Sequence, residues 1–169
     1  MTAFLFAMTD TPIQIRRADV KDLPILAKFG LALAQLHATF DERRFVVPED
    51  GEVSFMRFFE AELAREDAVL LVAEIAATPV GYAFVRIEAA SLEDLRGIGT
   101  WLHDIYVAPD VRARGVGRRL VEAAFDAARS LGSKSLMLGV SPRNASGRAL
   151  FDRMGFRATM VEMRAELKE

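Results

Sequence analysis

The run Leu102-His103-Asp104-Ile105-Tyr106-Val107-Ala108-Pro109-Asp110-Val111-Arg112-Ala113-Arg114-Gly115-Val116-Gly117-Arg118-Arg119-Leu120 gathers residue types that can hold an anion. Tyr106 and Val107 favour extended chain, and Pro109 closes that strand by withdrawing a backbone donor. From Gly117 the apolar residues Leu120, Val121, Ala124, Phe125 and Ala128 mark one face of a helix, with Gly132 beyond it as a left-handed cap. A helix start leaves about four N–H groups unpaired and carries the positive end of the macrodipole. Gly115 and Gly117 keep side chains away, so a phosphate can approach that backbone closely. Arg112, Arg114, Arg118 and Arg119 add positive charge around it. The chemistry these residues predict is capture of a phosphate-bearing ligand.

Two common phosphate-binding patterns are excluded. A dinucleotide fingerprint needs a third glycine where this chain has Leu120, and a P-loop needs a terminal Gly-Lys-Ser/Thr that is absent. The pattern that remains, Arg112-x-x-Gly115-x-Gly117 between a strand and a helix, resembles the acetyl-CoA pyrophosphate signature of the GNAT N-acetyltransferase superfamily. Downstream, Ser141-Pro-Arg-Asn144-Ala-Ser146-Gly-Arg-Ala-Leu150-Phe151-Asp-Arg-Met-Gly155-Phe156 resembles the GNAT segment in which an Asn opens a helix ending in Gly-Phe. The resemblance implies that Arg112, Arg114, Gly115, Val116, Gly117 and Arg118 hold the pyrophosphate. It implies that backbone N–H groups around Ile105, Tyr106 and Val107, on a splayed central strand, polarise the thioester carbonyl. It also implies that Asn144 and Phe151 lie along the CoA arm, although Asn144 reads equally well as a simple helix N-cap.

The implied activity is acetyl-CoA-dependent N-acetylation of a primary amine by direct attack in a ternary complex. The chain has no cysteine for an acyl-enzyme, in agreement with direct transfer. His103 stands four residues before Val107, where related enzymes often carry the base, and an imidazole titrating near neutrality suits that work. Asp104 is the alternative base, or a site for the cationic acceptor; a regular strand sets it on the face opposite His103 and puts Tyr106 opposite His103 too. A bulge, which this family is known for, would upset that parity. One departure stands out. Many members have a Tyr at the position of Phe151 to protonate the departing thiolate, and Phe has no hydroxyl, so the general acid stays open. Phe151 is also the best support for a second reading, a non-catalytic acyl-CoA sensor of the same fold. A third is an interaction domain whose loop serves some other anion.

The elements that must position these residues can be read in order. Ile13 to Arg17 alternates as a first strand, and Asp19 caps a helix through Leu23, Leu26, Ala27, Leu33 and Leu36. His37, Asp41 and Arg44 follow in a connection that forms one wall of the acceptor cleft in proteins this chain resembles. A second helix spans about 53–65, with Phe55, Phe58 and Phe59 read as core. Val69 to Ile75 is a strand covered on both faces, turned back by Thr78-Pro79 into a third strand over 81–87. Glu93 and Asp94 read as surface charge before a central strand from Thr100. A fifth strand over 135–140, a helix over 144–154 and one or two closing strands over 156–167 complete the chain. The predicted fold is α+β in three layers: a GNAT-like mixed, mostly antiparallel sheet of six to seven strands, splayed at its centre, with about four helices.

A chain of 169 residues suits one domain, predicted over 12–169 after a flexible tail at 1–11, with Met8 an alternative start. The tail is apolar but too short for a signal peptide, and no stretch approaches the roughly 18 apolar residues of a membrane span, so a cytoplasmic location is expected. Without cysteine, and with only His37 and His103, neither a disulfide framework nor a catalytic zinc or other metal site is expected. A net charge of −2 argues against general affinity for nucleic acid. The expected partners are acetyl-CoA and a small-molecule or peptide amine. The resemblance also admits a homodimer, which no residue here specifies.

Overall fold

The computed structural model describes residues 11–167, so the predicted tail lies outside the described residues except for Thr11. Among those residues are four α-helices and a five-stranded sheet in the order β1-β2-β3-β4-β5. Strand β1 (Ile13–Arg17) pairs antiparallel with β2 (Ala68–Ile75), β2 with β3 (Thr78–Glu88), and β3 with β4 (Gly99–Val107). Only β5 (Leu136–Met137) runs parallel to its neighbour β4.

Helices α1 (Leu23–Phe40) and α2 (Glu52–Leu63) cover one face of the sheet, while α3 (Val116–Ser130) and α4 (Ala145–Arg153) lie with the core of the other. On the first face Leu26, Phe29, Leu33 and Phe59 pack on Leu70, Val72, Tyr82, Phe84 and Tyr106. On the second, Val116, Leu120, Val121, Ala124 and Phe151 pack on Leu71, Ala73, Ala83, Val85 and Leu102. Alternate residues of β2 thus enter different cores, which is why its apolar run is unbroken. Asp19 caps as predicted. Its carboxylate accepts from Lys21 N–H at 2.7 Å, and Asp22 accepts from Asp19 N–H at 2.8 Å, starting a 3₁₀ turn that leads into α1. Contrary to the expectation that no stretch approaches a membrane span, Val20–Phe40 is long and apolar enough to cross a membrane by length and composition. Its residues Leu26, Phe29 and Leu33 are instead covered by the sheet.

Three expectations are corrected. The sheet has five strands among the described residues, not six to seven. The fifth is two residues long rather than spanning 135–140, and residues 156–167 form no strand. Alternating residue types supply a face but not a neighbour, and this segment is instead tied by side chains: Arg44 to Glu162, and Arg164 to the Arg43 carbonyl. Second, the β2–β3 turn is Ala76-Ala77, both at positive φ (50° and 60°), and Thr78 and Pro79 already belong to β3. Pro79 is accommodated where the register shifts beside Glu74, at an irregularity that tolerates a residue without an N–H. Third, His103 and Asp104 share a face, for the reason given below.

Candidate active site

The loop from β4 into α3 has the form that its glycines and arginines predict. Ala113 and Gly115 both adopt the left-handed conformation (φ 61° and 90°), and Gly115 is the N-cap of α3. Successive N–H groups around such residues form a concave anion nest at the positive end of a helix. At Gly117 an added Cβ would come within 3.2 Å of Leu150 Cδ2, so this glycine lets α4 close on the start of α3. Val116 is buried beneath the loop. Arg112 donates through Nε to the Val107 carbonyl at 3.0 Å, with its guanidinium 6.0 Å from the Tyr106 ring centre. Arg114 is exposed on the loop. Arg118 pairs with Glu122 at 2.9 Å, and Arg119 approaches the same carboxylate at 3.7 Å.

Beside the nest the sheet opens. Pairing of β4 with β5 is confined to Thr100–Leu136 and Trp101–Met137, and beyond Trp101 the two strands part. Ala108 N–H donates to the Val80 carbonyl at 2.8 Å. By the alternation of an antiparallel ladder, Tyr106 also faces β3, and Ile105 and Val107 turn their N–H groups to the open side. Asn144 flanks the loop that follows β5. Its side chain accepts from Gly147 N–H at 2.9 Å, which is a helix cap. Phe151 is buried in the core edge-to-face with Phe156.

The ladder between β3 and β4 carries a bulge. Asp104 is opposite Phe84 and Leu102 opposite Val85, which leaves His103 as an extra residue. The bulge therefore turns His103, Asp104 and Tyr106 to the same side, correcting the expected opposition of the first two. Both line an open cavity of about 420 Å³ with Pro48, Ser54, Phe55, Phe58, Phe84 and Arg86. His103 stacks on Phe84 (ring centres 5.2 Å apart), and its Nε2 is 2.8 Å from Glu88 Oε1. Burial pushes the His103 pKa below its usual value, against the opposing pull of Glu88. Asp104 accepts a hydrogen bond from the Tyr82 hydroxyl at 3.0 Å. Burial pushes its pKa up to about 6, although that hydrogen bond acts to lower it. Burial and the adjacent Asp104 raise the Tyr82 pKa well above its usual value.

Other candidates separate. His37 stacks on Phe45 at the end of α1 and Arg44 pairs with Glu162; neither they nor Asp41 line the cavity. Of the phenylalanines read as core, Phe59 is buried and Phe55 packs against it while also lining the cavity, whereas Phe58 is exposed at the cavity wall. Glu93 and Asp94 are exposed, as predicted. Glu62, Arg86 and Glu88, which join α2 and β3 to His103, carry no motif in the sequence that marks them as site residues. The alternation of Arg86 and Glu88 at the end of a strand was the one available signal. Among the described residues, no group of three or more His, Asp or Glu is arranged to hold a metal.

Comparison with known proteins agrees with this fold. Residues 32–156 match the model of the acetyltransferase (GNAT) family. The L-methionine sulfoximine/L-methionine sulfone acetyltransferase of Pseudomonas paraeruginosa (strain DSM 24068 / PA7) is 31% identical over 84% of this chain and 78% of its own. The L-amino acid N-acyltransferase MnaT of Escherichia coli (strain K12) is 33% identical over a shorter stretch, 34% of this chain and 33% of its own. The aminoglycoside N-acetyltransferase AAC(6′)-Iy, solved in complex with CoA, shares the fold with a TM-score of 0.73 at 19% identity, over 94% of this chain and 96% of that one. The chain belongs to the GNAT acetyltransferase family and is an N-acetyltransferase.

Proposed function

We propose that the protein transfers the acetyl group of acetyl-CoA to the primary amine of a small molecule, in a ternary complex. The observation that carries this reading is the bulge at His103. It sets two proton-accepting groups in one cavity, beside the stretch where β4 is unpaired on its β5 side. The pyrophosphate lies on the N–H groups of Gly115, Val116 and Gly117, with Arg112, Arg114 and Arg118 around it. The pantetheine arm enters between β4 and β5 past Asn144. His103 takes the ammonium proton, directly or through water, and Asp104 holds the cation before it is deprotonated. The freed amine bonds to the thioester carbonyl carbon while the Ile105 and Val107 N–H groups stabilise the developing oxyanion. The C–S bond then breaks, CoA leaves as the thiolate, and the amide nitrogen gives its remaining surplus proton to solvent. Phe151 contributes packing rather than a proton. The proposed location is the cytoplasm.

The names of the sequence relatives make α-amino acids and their sulfoximine or sulfone analogues the first acceptors to try. CoA release is measured across these and across polyamines, aminoglycosides, arylalkylamines and peptide amino termini. Acetyl-CoA binding is followed by calorimetry, with Gly117→Glu as the variant whose carboxylate enters the nest and abolishes binding. Saturable binding with release on one acceptor class is the expected result. Binding without turnover on any amine would favour the sensor, and no binding would overturn the reading.

A further inference from the structure

We infer that Glu88 is a positioning residue for His103, fixing the imidazole with the proton on Nε2 and leaving Nδ1 as the proton acceptor. This rests on the reading of His103 as the base. An ionised carboxylate only accepts hydrogen bonds, so the 2.8 Å contact between Glu88 Oε1 and His103 Nε2 requires Nε2 to be the donor. Glu88 is not free to swing away. The same Oε1 accepts from Arg86 Nε at 2.9 Å and from Arg86 Nη2 at 2.6 Å. Arg86 in turn donates through Nη1 to Oε1 of the buried Glu62 at 2.8 Å. The array thus runs from α2 through β3 to the extra residue of β4.

The ring has little freedom in other directions. It stacks between Phe84 and Trp101, with ring centres 5.2 and 6.3 Å away and interplanar angles of 27° and 25°. The His103 and Glu88 side chains are 29% and 27% exposed, so the contact is held by the Arg86 and ring contacts rather than by exclusion of solvent. The charged groups facing the imidazole are Glu88 and Arg86 on β3, Glu62 on α2 and its neighbour Asp104 on β4, with Arg96 lying over the Trp101 ring. Burial acts to raise the Glu88 pKa, but the hydrogen bond and charge of Arg86 outweigh it, so the carboxylate stays ionised across the working range. A bulge gives a strand residue an exposed backbone and an unpaired side-chain position, and a base there needs its orientation set by another element. Glu88 supplies that orientation.

The test reads the imidazole directly. The chain has two histidines, so ¹⁵N imidazole spectra of the full protein are assigned with His103→Gln alone. The expected wild-type state is Nε2–H. In Glu88→Ala the tautomers mix, the His103 pKa falls, and the acid limb of kcat/KM for the acceptor moves down by about 0.5–1 pH unit. There kcat falls about tenfold, with KM for acetyl-CoA unchanged. In Glu88→Gln, Arg86 holds the amide oxygen in the place of Oε1, so the tautomer and most of kcat return while the limb stays shifted. An unchanged tautomer and limb in Glu88→Ala, even with lowered thermal stability, would overturn the inference. If the limb disappears in Asp104→Asn and persists in His103→Gln, the base assignment fails instead, and the spectra still judge the hold of Glu88 on the ring.

Discussion

Two residues at the bulge, His103 and Asp104, are partly withdrawn from water and respond to it in opposite chemical senses. Burial disfavours the charged form of each, so the carboxylic acid titrates late and the imidazole early, and both remain able to accept a proton near neutrality. For Asp104 this has a consequence for stability. Its folded pKa of about 6 lies above the usual 3.8, so its contribution to stability is fully present below about pH 4 and is lost as the pH rises through 6. Asp104→Asn removes that cost. The variant is expected to resist urea better than wild type at pH 8, by up to about 3 kcal/mol, and to match it near pH 4. A variant equally or less stable at pH 8 would contradict the shift. For His103→Gln the expected outcome is kinetic: kcat falls about 100-fold or more, while calorimetric affinity for acetyl-CoA is kept. Both residue types were legible in the sequence. That they share a face was not, because the bulge is a property of how β4 pairs with β3.

The helices were legible because their ends are written locally. Asp19, Asn144, Gly132 and Gly155 each perform at their own position the capping or left-handed role that their side chains predict. The β2–β3 hairpin was not, because its turn uses residues with no turn signature. Ala76 and Ala77 adopt the conformation of a tight two-residue turn that Asn-Gly adopts more easily, and each carries a Cβ penalty there. Ala76→Asn with Ala77→Gly is therefore expected to stabilise the protein by about 1 kcal/mol, read as a higher urea midpoint with an unchanged slope. A lower midpoint would mean that the turn differs from a two-residue hairpin loop. The strong local signal, Thr78-Pro79, drew the turn too far along the chain. A proline marks a break in the ladder, and here the break is an irregularity inside the strand pair rather than its end.

Across the molecule, the ladder that joins the first strand to β2 is reinforced by one guanidinium. Arg16 donates to both oxygens of Asp22 at 2.7 and 2.8 Å and to Glu74 at 2.6 and 2.9 Å, joining β1, the start of α1 and β2. The hydrogen bonds to Arg16 hold Asp22 below the usual carboxylate range, so this stability is present above about pH 4 and is lost as the pH falls through the folded value. Arg16→Met leaves the buried Asp22 and the partly buried Glu74 without their counter-charge and is expected to cost about 3 kcal/mol at pH 7. The cost shrinks on acidification; a pH-independent loss would point to packing alone. The sequence by itself determined the glycine-rich turn into α3, the helix caps and the family, because these lie within contiguous residues whose backbone conformation their own side chains set. Only the tertiary structure decided the number of strands, the shared face of His103 and Asp104, and the Glu62–Arg86–Glu88 array. Each of these depends on which distant segment becomes a neighbour, and alternation or charge along one segment does not specify its partner.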